Sequence, residues 1–295
     1  MAAQRVLIVS AVRNEIRHIE LVVRAMAAQT RPPDTWIVVD DGSTDGTREL
    51  LERAAAEIPF MRVIAAPQRP LPAGADRLLH AADARAFNHG LGFAPDFTHV
   101  GKLDGDIELP PDYYERVLAK LRYDPRLGIA GGVLVEPSAG SWKLRGASHL
   151  QHVRGALKLY SNECFEAIGG VREILGWDGV DEVLARMHGF ETRSFPDIVA
   201  RHHRVAGSAD GRLRGQHRLG RCMYVEGYPP LWIAARSVRV ASTRPLGISG
   251  LAFMAGYVGA AARRVRRFDA DGYRAHLRRE LRARAAGKLN PFVSA

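Results

Sequence analysis

The feature that most constrains this sequence is an alternation at its start. Arg5–Ser10 is a short apolar run rich in β-branched residues. Glu15–Gln29 then places Ile16, Ile19, Val22, Val23 and Met26 at helical spacing. Trp36–Val39 is a second short apolar run, followed by a helix capped by Ser43 or Thr44 and reaching about Glu57. Met61–Ala65 is a third strand. Continuous apolar strands separated by helices are buried on both faces. The β-α-β-α-β order therefore predicts an α/β fold, a mostly parallel twisted sheet flanked by helices with right-handed crossovers.

The pattern continues less regularly. Gln68–Ala75 is a Pro/Gly loop, Asp76–Gly90 is helical, and Phe97–Leu103 is a strand ending in Asp104-Gly105-Asp106. Pro110–Leu121 is a helix with Pro near its start. Leu127–Val135 is a strand and Ser138–Gln151 is irregular. Arg154–Tyr160 is a strand that leads into a helix over Asn162–Ile168. Val180–His188 is a helix, Thr192–Ile198 a strand, and Arg201–Arg218 a basic, polar loop.

The last third differs in kind. The whole chain carries 42 Lys+Arg and 32 Asp+Glu. From Arg201 onward there are 19 basic and 5 acidic residues, so the positive charge is concentrated there and suggests an anionic partner. Pro245–Ala262 holds no charged residue, but its four glycines make it weakly apolar and short for a membrane span. Tyr273, Leu277 and Leu281 recur every four residues amid arginines, the mark of a basic amphipathic helix. That stripe suits either anionic lipid or packing on the domain. A division follows into residues 1–205, an α/β domain, and 206–295, a basic helical extension. With 46% apolar and 25% charged residues, the chain is neither disordered nor collagen-like. Two cysteines without metal-ligand spacing fit a reducing compartment. The seven-residue apolar run Val6–Val12 is too short for a secretory signal core followed by a cleavage site.

Two acidic clusters end strands, Asp40-Asp41 and Asp104/Asp106. In open α/β sheets ligands bind beyond the carboxyl ends of strands. Carboxylates there suit a hard divalent cation, or the hydroxyls and ring N–H of a nucleoside. Around the Gly105 turn, Asp104 and Asp106 can share one Mg²⁺ or Mn²⁺, with a substrate diphosphate completing the shell.

Val38-Val39-Asp40-Asp41-Gly42-Ser43-Thr44-Asp45-Gly46-Thr47 resembles the nucleotide-sugar signature of family 2 glycosyltransferases, which have the GT-A fold. The first strand ending in Asn14-Glu15, the segment Ala86-Phe87-Asn88-His89-Gly90-Leu91, and Lys102-Leu103-Asp104-Gly105-Asp106 are similar to further segments of that family. So is Phe165-Glu166-Ala167-Ile168-Gly169-Gly170, beside its acceptor site. The resemblance covers about residues 4–205. It implies that Asp41 holds the base or ribose with Asp40 behind it, and that Ser10, Val12 and Glu15 lie around the nucleoside. Asp104, Gly105 and Asp106 would engage the sugar nucleotide, with Asp104 and Asp106 on the metal. His202 or His203 would complete the metal shell. For the general base the family shows Glu-Asp ahead of a helix that ends at Gly. Counting back from Gly189 without a gap places Trp177-Asp178 there, and a one-turn slip selects Asp181 with Glu182 beside it.

The resemblance thus implies an inverting, metal-dependent glycosyltransferase using Mn²⁺ or Mg²⁺. A UDP-sugar donor would serve a hydroxyl of a glycan or lipid-linked acceptor, in cell-envelope or exopolysaccharide assembly. Its place would be cytoplasmic, peripheral on the inner face of the membrane, with anionic lipid met by the C-terminal region. Gln216-His217-Arg218-Leu219-Gly220-Arg221 resembles the Q-x-x-R-W motif of processive members without its Trp, and leaves Arg218 and Arg221 as candidates to approach a diphosphate. A sugar nucleotidyltransferase of similar fold would open with a Gly-rich loop after the first strand, and none follows Ser10. A basic nucleic-acid or lipid-binding protein fits the tail, but four strand-end carboxylates repel phosphate when no metal is bound. A degenerate scaffold domain fits poorly with intact Asp41, Asp104 and Asp106.

Overall fold

The computed structural model describes residues 4–67, 76–138, 140–144, 150–204, 211–243 and 245–286. The loop expected at Gln68–Ala75 lies outside them. The chain runs β1 (Val6–Val12), α1 (Ile19–Ala27), β2 (Thr35–Asp40), α2 (Thr47–Glu57) and β3 (Met61–Ala65). A 3₁₀ turn at Arg77–His80 leads to α3 (Ala82–Leu91), β4 (His99–Lys102), β5 (Ile107–Glu108) and α4 (Tyr113–Tyr123). Then come β6 (Leu127–Ser138), β7 (Ser141–Leu144), β8 (Leu159–Ser161), α5 (Asn162–Ala167), α6 (Trp177–Met187) and β9 (Glu191–His202). Four further helices follow: α7 (Arg212–Val225), α8 (Pro230–Ala241), α9 (Ile248–Ala262) and α10 (Tyr273–Ala285).

The α/β expectation holds. One sheet runs in the order β3-β2-β1-β4-β8-β6-β9-β5, with β7 on β6. Its first four strands are parallel, and the rest is mixed: β8 is antiparallel to β4 and β6, while β6 and β9 are parallel. Successive β1 residues feed opposite faces. Val6 and Ile8 join Trp36, Val38, Tyr113 and Val117 on one side. Leu7 and Val9 join Ile37, Val39, Phe87 and Val180 on the other. Both faces are dry, which is why these strands read as unbroken apolar runs.

The parallel register decides where the chemistry can be. Val12 pairs with Asp40 across β1 and β2, and Val9 with Lys102 across β1 and β4. The loops after β1, β2 and β4 therefore emerge at one edge. Across the antiparallel pair at the far side, Ile107 lies opposite His202, which sets the end of β9 beside Asp106.

Several local expectations are revised. Helix α2 starts at Thr47 after Gly46, whose φ of 94° is left-handed, and not at Ser43 or Thr44. Those two residues are spent on the preceding loop: Ser43 Oγ accepts from Asn14 N at 3.0 Å and Thr44 N donates to Asn14 Oδ1 at 2.8 Å. The stretch Arg154–Tyr160 holds a 3₁₀ turn at Gly155–Leu157 before the short β8. Strand β9 runs on through Arg201 and His202. Beyond it Arg212–Arg218 is helical, not loop-like, because α7 hides its apolar pattern. It packs through glycine: a Cβ on Gly220 would sit 1.9 Å from the Phe253 carbonyl oxygen of α9. Both cysteines are free.

Residues beyond 210 behave as two units. Helices α7, α8 and α9 share a small core of Met223, Tyr224, Ile233, Phe253 and Tyr257. Helix α10 instead returns to the sheet, where Tyr273, Leu277 and Leu281 are buried in the same cluster as Val9 and Trp177. Arg186 of α6 clamps Glu280 of α10 at 2.6 and 3.0 Å. The apolar stripe of the basic amphipathic helix is thus packed on protein, not on lipid. Among the described residues no helix is long and apolar enough to cross a membrane.

Candidate functional site

The edge beyond β1, β2 and β4 collects the charged residues. Asp40 is buried and its carboxylate accepts from Ser43 N at 3.2 Å, which holds the turn that follows. Asp41 N donates to Val12 O at 2.8 Å, so the end of β1 positions Asp41 directly. Its carboxylate is ion-paired to Arg77 of the 3₁₀ turn. Asp41, Ala66, Arg77, Arg85, Asn88, His89 and Glu173 line a cavity of about 280 Å³. Ser10 does not reach this space: it is fully buried and its Oγ accepts from Trp36 Nε1 at 3.0 Å. A small hydroxyl inside a dry sheet satisfies the indole and is spent there. Val12 is buried too, and meets the D-x-D turn. A Cβ on Gly105 would come within 2.9 Å of Val12 Cγ1 and 3.2 Å of Glu15 Cγ, so only Gly lets this turn lie against the first loop.

Asp104 and Asp106 take different partners. Asp104 is ion-paired to Lys102, whose ammonium is 2% exposed and also lies 3.9 Å from Asp83. Burial pushes the Asp104 carboxyl up, and neighbouring Asp106 adds to this against the pull of Lys102. Asp106 lies 3.3 Å from His202 Nε2 and 3.7 Å from Arg204 Nε. Burial would raise Asp106, but the hydrogen bond and charge of His202 hold it below the usual carboxylate range. Glu15 pairs with Arg204. Burial carries its carboxyl up to about 7, with Arg204 opposing and Asp106 adding to the rise.

The two histidines separate. His202 faces Asp106 with one ring nitrogen, and its buried Nδ1 lies 3.6 Å from Glu136 Oε1 without a hydrogen bond. His203 is engaged elsewhere. Its Nε2 is 2.7 Å from Glu108 Oε2, and its ring stacks on His18 and meets the edge of Trp142. His202 closes β9 with its ring on Asp106, while His203 lies past the strand end and meets Asp106 only through its backbone N–H, which donates to Asp106 O at 3.0 Å.

The two candidate bases separate as well. Helix α6 is capped at Gly176 and starts at Trp177, three residues before the expected Val180, so Asp178 sits inside the first turn and Asp181 one turn on. Asp178 is half-buried, and its carbonyl accepts from Lys158 Nζ. Asp181 is 1% exposed, paired to Lys158 at 2.8 Å and accepting from the Tyr160 hydroxyl. Burial raises its carboxyl to about 7 against the pull of Lys158. Asp181 is therefore enclosed in the core, with both carboxylate oxygens engaged. Glu182 beside it also reaches Lys158, at 3.1 Å, and takes the backbone N–H of Val153 at 2.7 Å. Both lysines approach the Trp177 ring, with Lys102 Nζ 5.4 Å and Lys158 Nζ 5.7 Å from its centroid. Its Nε1 donates to Asp83 at 3.0 Å.

Among the described residues no three carboxylate, imidazole or thiol groups already converge as a metal cage. The donor set nevertheless fits a hard or borderline divalent ion: Asp106 and His202 are adjacent, and Asp104 is one turn residue away on an exchangeable ion pair. A buried carboxylate behind the imidazole, as Glu136 is, is the usual outer support of a ligating histidine.

The sequence of the glycosyl transferase family 2 model matches residues 7–170. The chain belongs to glycosyltransferase family 2. That span takes in all but the first residue of β1, runs on through β8, and holds both acidic clusters. The succinoglycan biosynthesis protein ExoA of Rhizobium meliloti (strain 1021) is 32% identical over 113 residues, which is 38% of this chain and 31% of ExoA. The alignment thus spans about a third of that curated relative. Among solved structures, the mannosyltransferase PcManGT from Pyrobaculum calidifontis, in complex with GDP-Man and Mn²⁺, superposes with a TM-score of 0.61. It is 20% identical, with 97% of this chain and 81% of that one covered. S. aureus TarS 1-349 in complex with UDP gives 0.53 at 12% identity, covering 87% and 71%. At these identities the structures establish the fold, which is that of GT-A glycosyltransferases.

Reading the sequence alone misses Lys102, Arg204, Lys158, Arg77 and Glu136. Lys102 and Lys158 carry a signal in retrospect, a lone lysine beside an apolar strand, since such a charge is buried only with a partner. Arg77 and Arg204 carry none, because their partners Asp41 and Glu15 are 36 and 189 residues away.

Proposed function

We propose that this glycosyltransferase is inverting and metal-dependent, and moves a sugar from a nucleotide-sugar, UDP-linked, to a hydroxyl of a glycan or lipid-linked acceptor. The reading rests on one observation above all. Asp41 with its cavity, the Asp104/Asp106/His202 set and Asp178 of α6 border one edge of the sheet and are supplied by separate elements. Complexes of the structural neighbours with GDP-Man and Mn²⁺, and with UDP, support a nucleotide-sugar and a divalent ion. The likeness to a succinoglycan biosynthesis protein supports a role in exopolysaccharide assembly. The basic residues after Arg201 support a peripheral position on the cytoplasmic face of a membrane.

In this scheme the nucleoside enters the Asp41 cavity and draws Asp41 away from Arg77, whose guanidinium is then free to meet phosphate. Asp104, Asp106 and His202 would hold the cation, Mn²⁺ or Mg²⁺, which would supply neutralisation of charge on the departing diphosphate. Lys102, which pairs with Asp104 and lies 3.9 Å from Asp83, keeps a positive charge beside these carboxylates. Asp178 takes the proton of the acceptor hydroxyl as its oxygen attacks the anomeric carbon. Lys158, through the Asp178 carbonyl, fixes where that carboxylate stands.

A thermal-shift series with UDP, GDP and their sugars, with and without Mn²⁺, tests the donor half. A Mn²⁺-dependent rise with UDP that Asp106→Ala abolishes is expected. No rise with any nucleotide in folded protein rejects the reading.

A further inference from the structure

The proposed reaction leaves the layer of α7, α8 and α9 unused. One side of α9 is committed to protein. It is so close to α7 that a Cβ on Gly256 would lie 1.9 Å from the His217 carbonyl oxygen. Its other side is open. Ile248, Leu251 and Val258 are 52%, 71% and 54% exposed and form one stripe at helical spacing, continued by exposed Ala255 and Ala262. Helix α8 repeats the pattern with Leu231 at 84% and Val238 at 73%, two turns apart. Leu246, 67% exposed, sits between the two helices. Scattered exposed aliphatics are ordinary, but six within one helical hairpin form a patch that marks an interaction site.

The charge carried by the sequence of these two helices and their flanks has one sign. Between Gly227 and Phe268 the sequence contains seven arginines and no aspartate or glutamate. Arg236, Arg239, Arg263, Arg264 and Arg266 are exposed, while Arg267 is committed to the face of Tyr224, 4.0 Å from its centroid. An apolar face rimmed by arginine and free of carboxylate repels a second copy of itself and attracts an anionic surface. With no described helix able to cross a bilayer, the fit is to lie on one.

The same layer abuts the cleft. Arg218 of α7 holds Asp76 at 2.9 Å, and the Asp76 carboxylate accepts from Leu78 N at 3.1 Å, in the turn whose Arg77 grips Asp41. At the other end of α7, Glu226 packs on the start of α6. A Cβ on Gly176 would meet its Oε1 at 2.5 Å, and one on Gly179 at 3.1 Å. Whatever α8 and α9 rest on is therefore tied through α7 to both the donor turn and the turn that carries Asp178.

We propose that the uncovered side of α8 and α9 is a docking surface for an anionic lipid bilayer, which sets the cleft at the membrane surface so that acceptors presented from lipid are served. This deepens the proposed reaction and rests on it for the acceptor alone. The full chain is sedimented with phosphatidylcholine vesicles, with and without phosphatidylglycerol. Binding to the anionic vesicles at least about tenfold tighter than to the neutral ones is expected. Leu231→Gln with Leu251→Gln lowers it by about tenfold or more, and Arg263→Gln with Arg264→Gln weakens it and its salt dependence. All four positions are exposed, so melting temperature and the Mn²⁺-dependent shift with UDP stay at wild-type values. A wild type that gives no UDP shift counts against the donor reading and not against this one. Absence of binding to either vesicle, binding that none of these substitutions changes, or a dimer in light scattering that Leu251→Gln dissolves without any vesicle binding would each overturn the proposal.

Discussion

Two lysine–carboxylate groups flank the same indole ring, and they are built for opposite purposes. Lys158 is wholly enclosed, and its partners Asp181 and Glu182 are 2% and 5% exposed at the side chain. Every atom there has a partner: Tyr160, Val153 N and His152 fill the remaining positions. Burial alone would raise Glu182, yet His152 and Lys158 hold it down at about 2. Lys102 is equally enclosed, but its partner Asp104 is 37% exposed at the side chain and opens to the cleft. The first group cannot exchange partners without leaving a buried charge bare. The second can, since water or a cation can take over Asp104. The same residue types thus give a fixed brace and an exchangeable contact beside one indole, and Asp178 is tied to the brace through its carbonyl.

The comparison predicts that chemistry and stability separate. Asp178→Asn is expected to lower transfer by about 10²–10⁴-fold while nucleotide binding persists. Asp181→Asn should act on melting temperature first. Loss of binding in Asp178→Asn, or full activity, breaks the distinction. Lys158→Met bares two carboxylates in the core and is expected to cost about 3–5 kcal/mol in urea unfolding. Lys102→Met is expected to cost only about 1–2 kcal/mol, because Asp104 rehydrates. The same variant should bind Mn²⁺ more tightly by calorimetry, since its ligand is released. Equal destabilisation by the two substitutions would erase the contrast.

The smallest expected effect concerns a carboxylate near Asp178 that has no lysine. Glu226 is buried and rises to about 8, driven by burial and by Asp178, and eased by the Cys222 thiol and the charges of His152 and Arg236. A carboxyl raised in the folded state holds a proton that the unfolded chain has already lost. Its contribution to stability therefore falls as pH rises from about 4.5 toward 8. Glu226→Gln should remove roughly 1–2 kcal/mol of that decline, read as a flatter melting temperature across the window. Parallel profiles for wild type and variant would mean that the N-terminus of α6 already compensates the charge.

Legibility followed the range of the interactions. The β-α-β-α-β start was readable because two-faced burial forces Val6–Val9 and Trp36–Val39 to be apolar throughout. The acidic strand ends were readable because the register of parallel strands brings such ends together. Helix α7 was not, since its buried side holds Arg218 and Gly220 where a periodicity count expects aliphatics. The α10 stripe was readable as a stripe, but not as one that packs on α6, because lipid and a protein core ask for the same residues.

Sequence alone determined the local chemistry: which segments are strands, which loops carry carboxylates, and that residues beyond Arg201 are basic. Only the tertiary structure decided which of two adjacent histidines turns its ring to Asp106 and which of two aspartates in α6 is left partly exposed. It also decided which apolar helix face is left without cover. These choices turn on the direction of a side chain and on partners far away in sequence. His202 is the last residue of β9 and His203 the first beyond it, and Asp178 differs from Asp181 by one turn of a helix. A pattern of residue types has no term for what stands opposite.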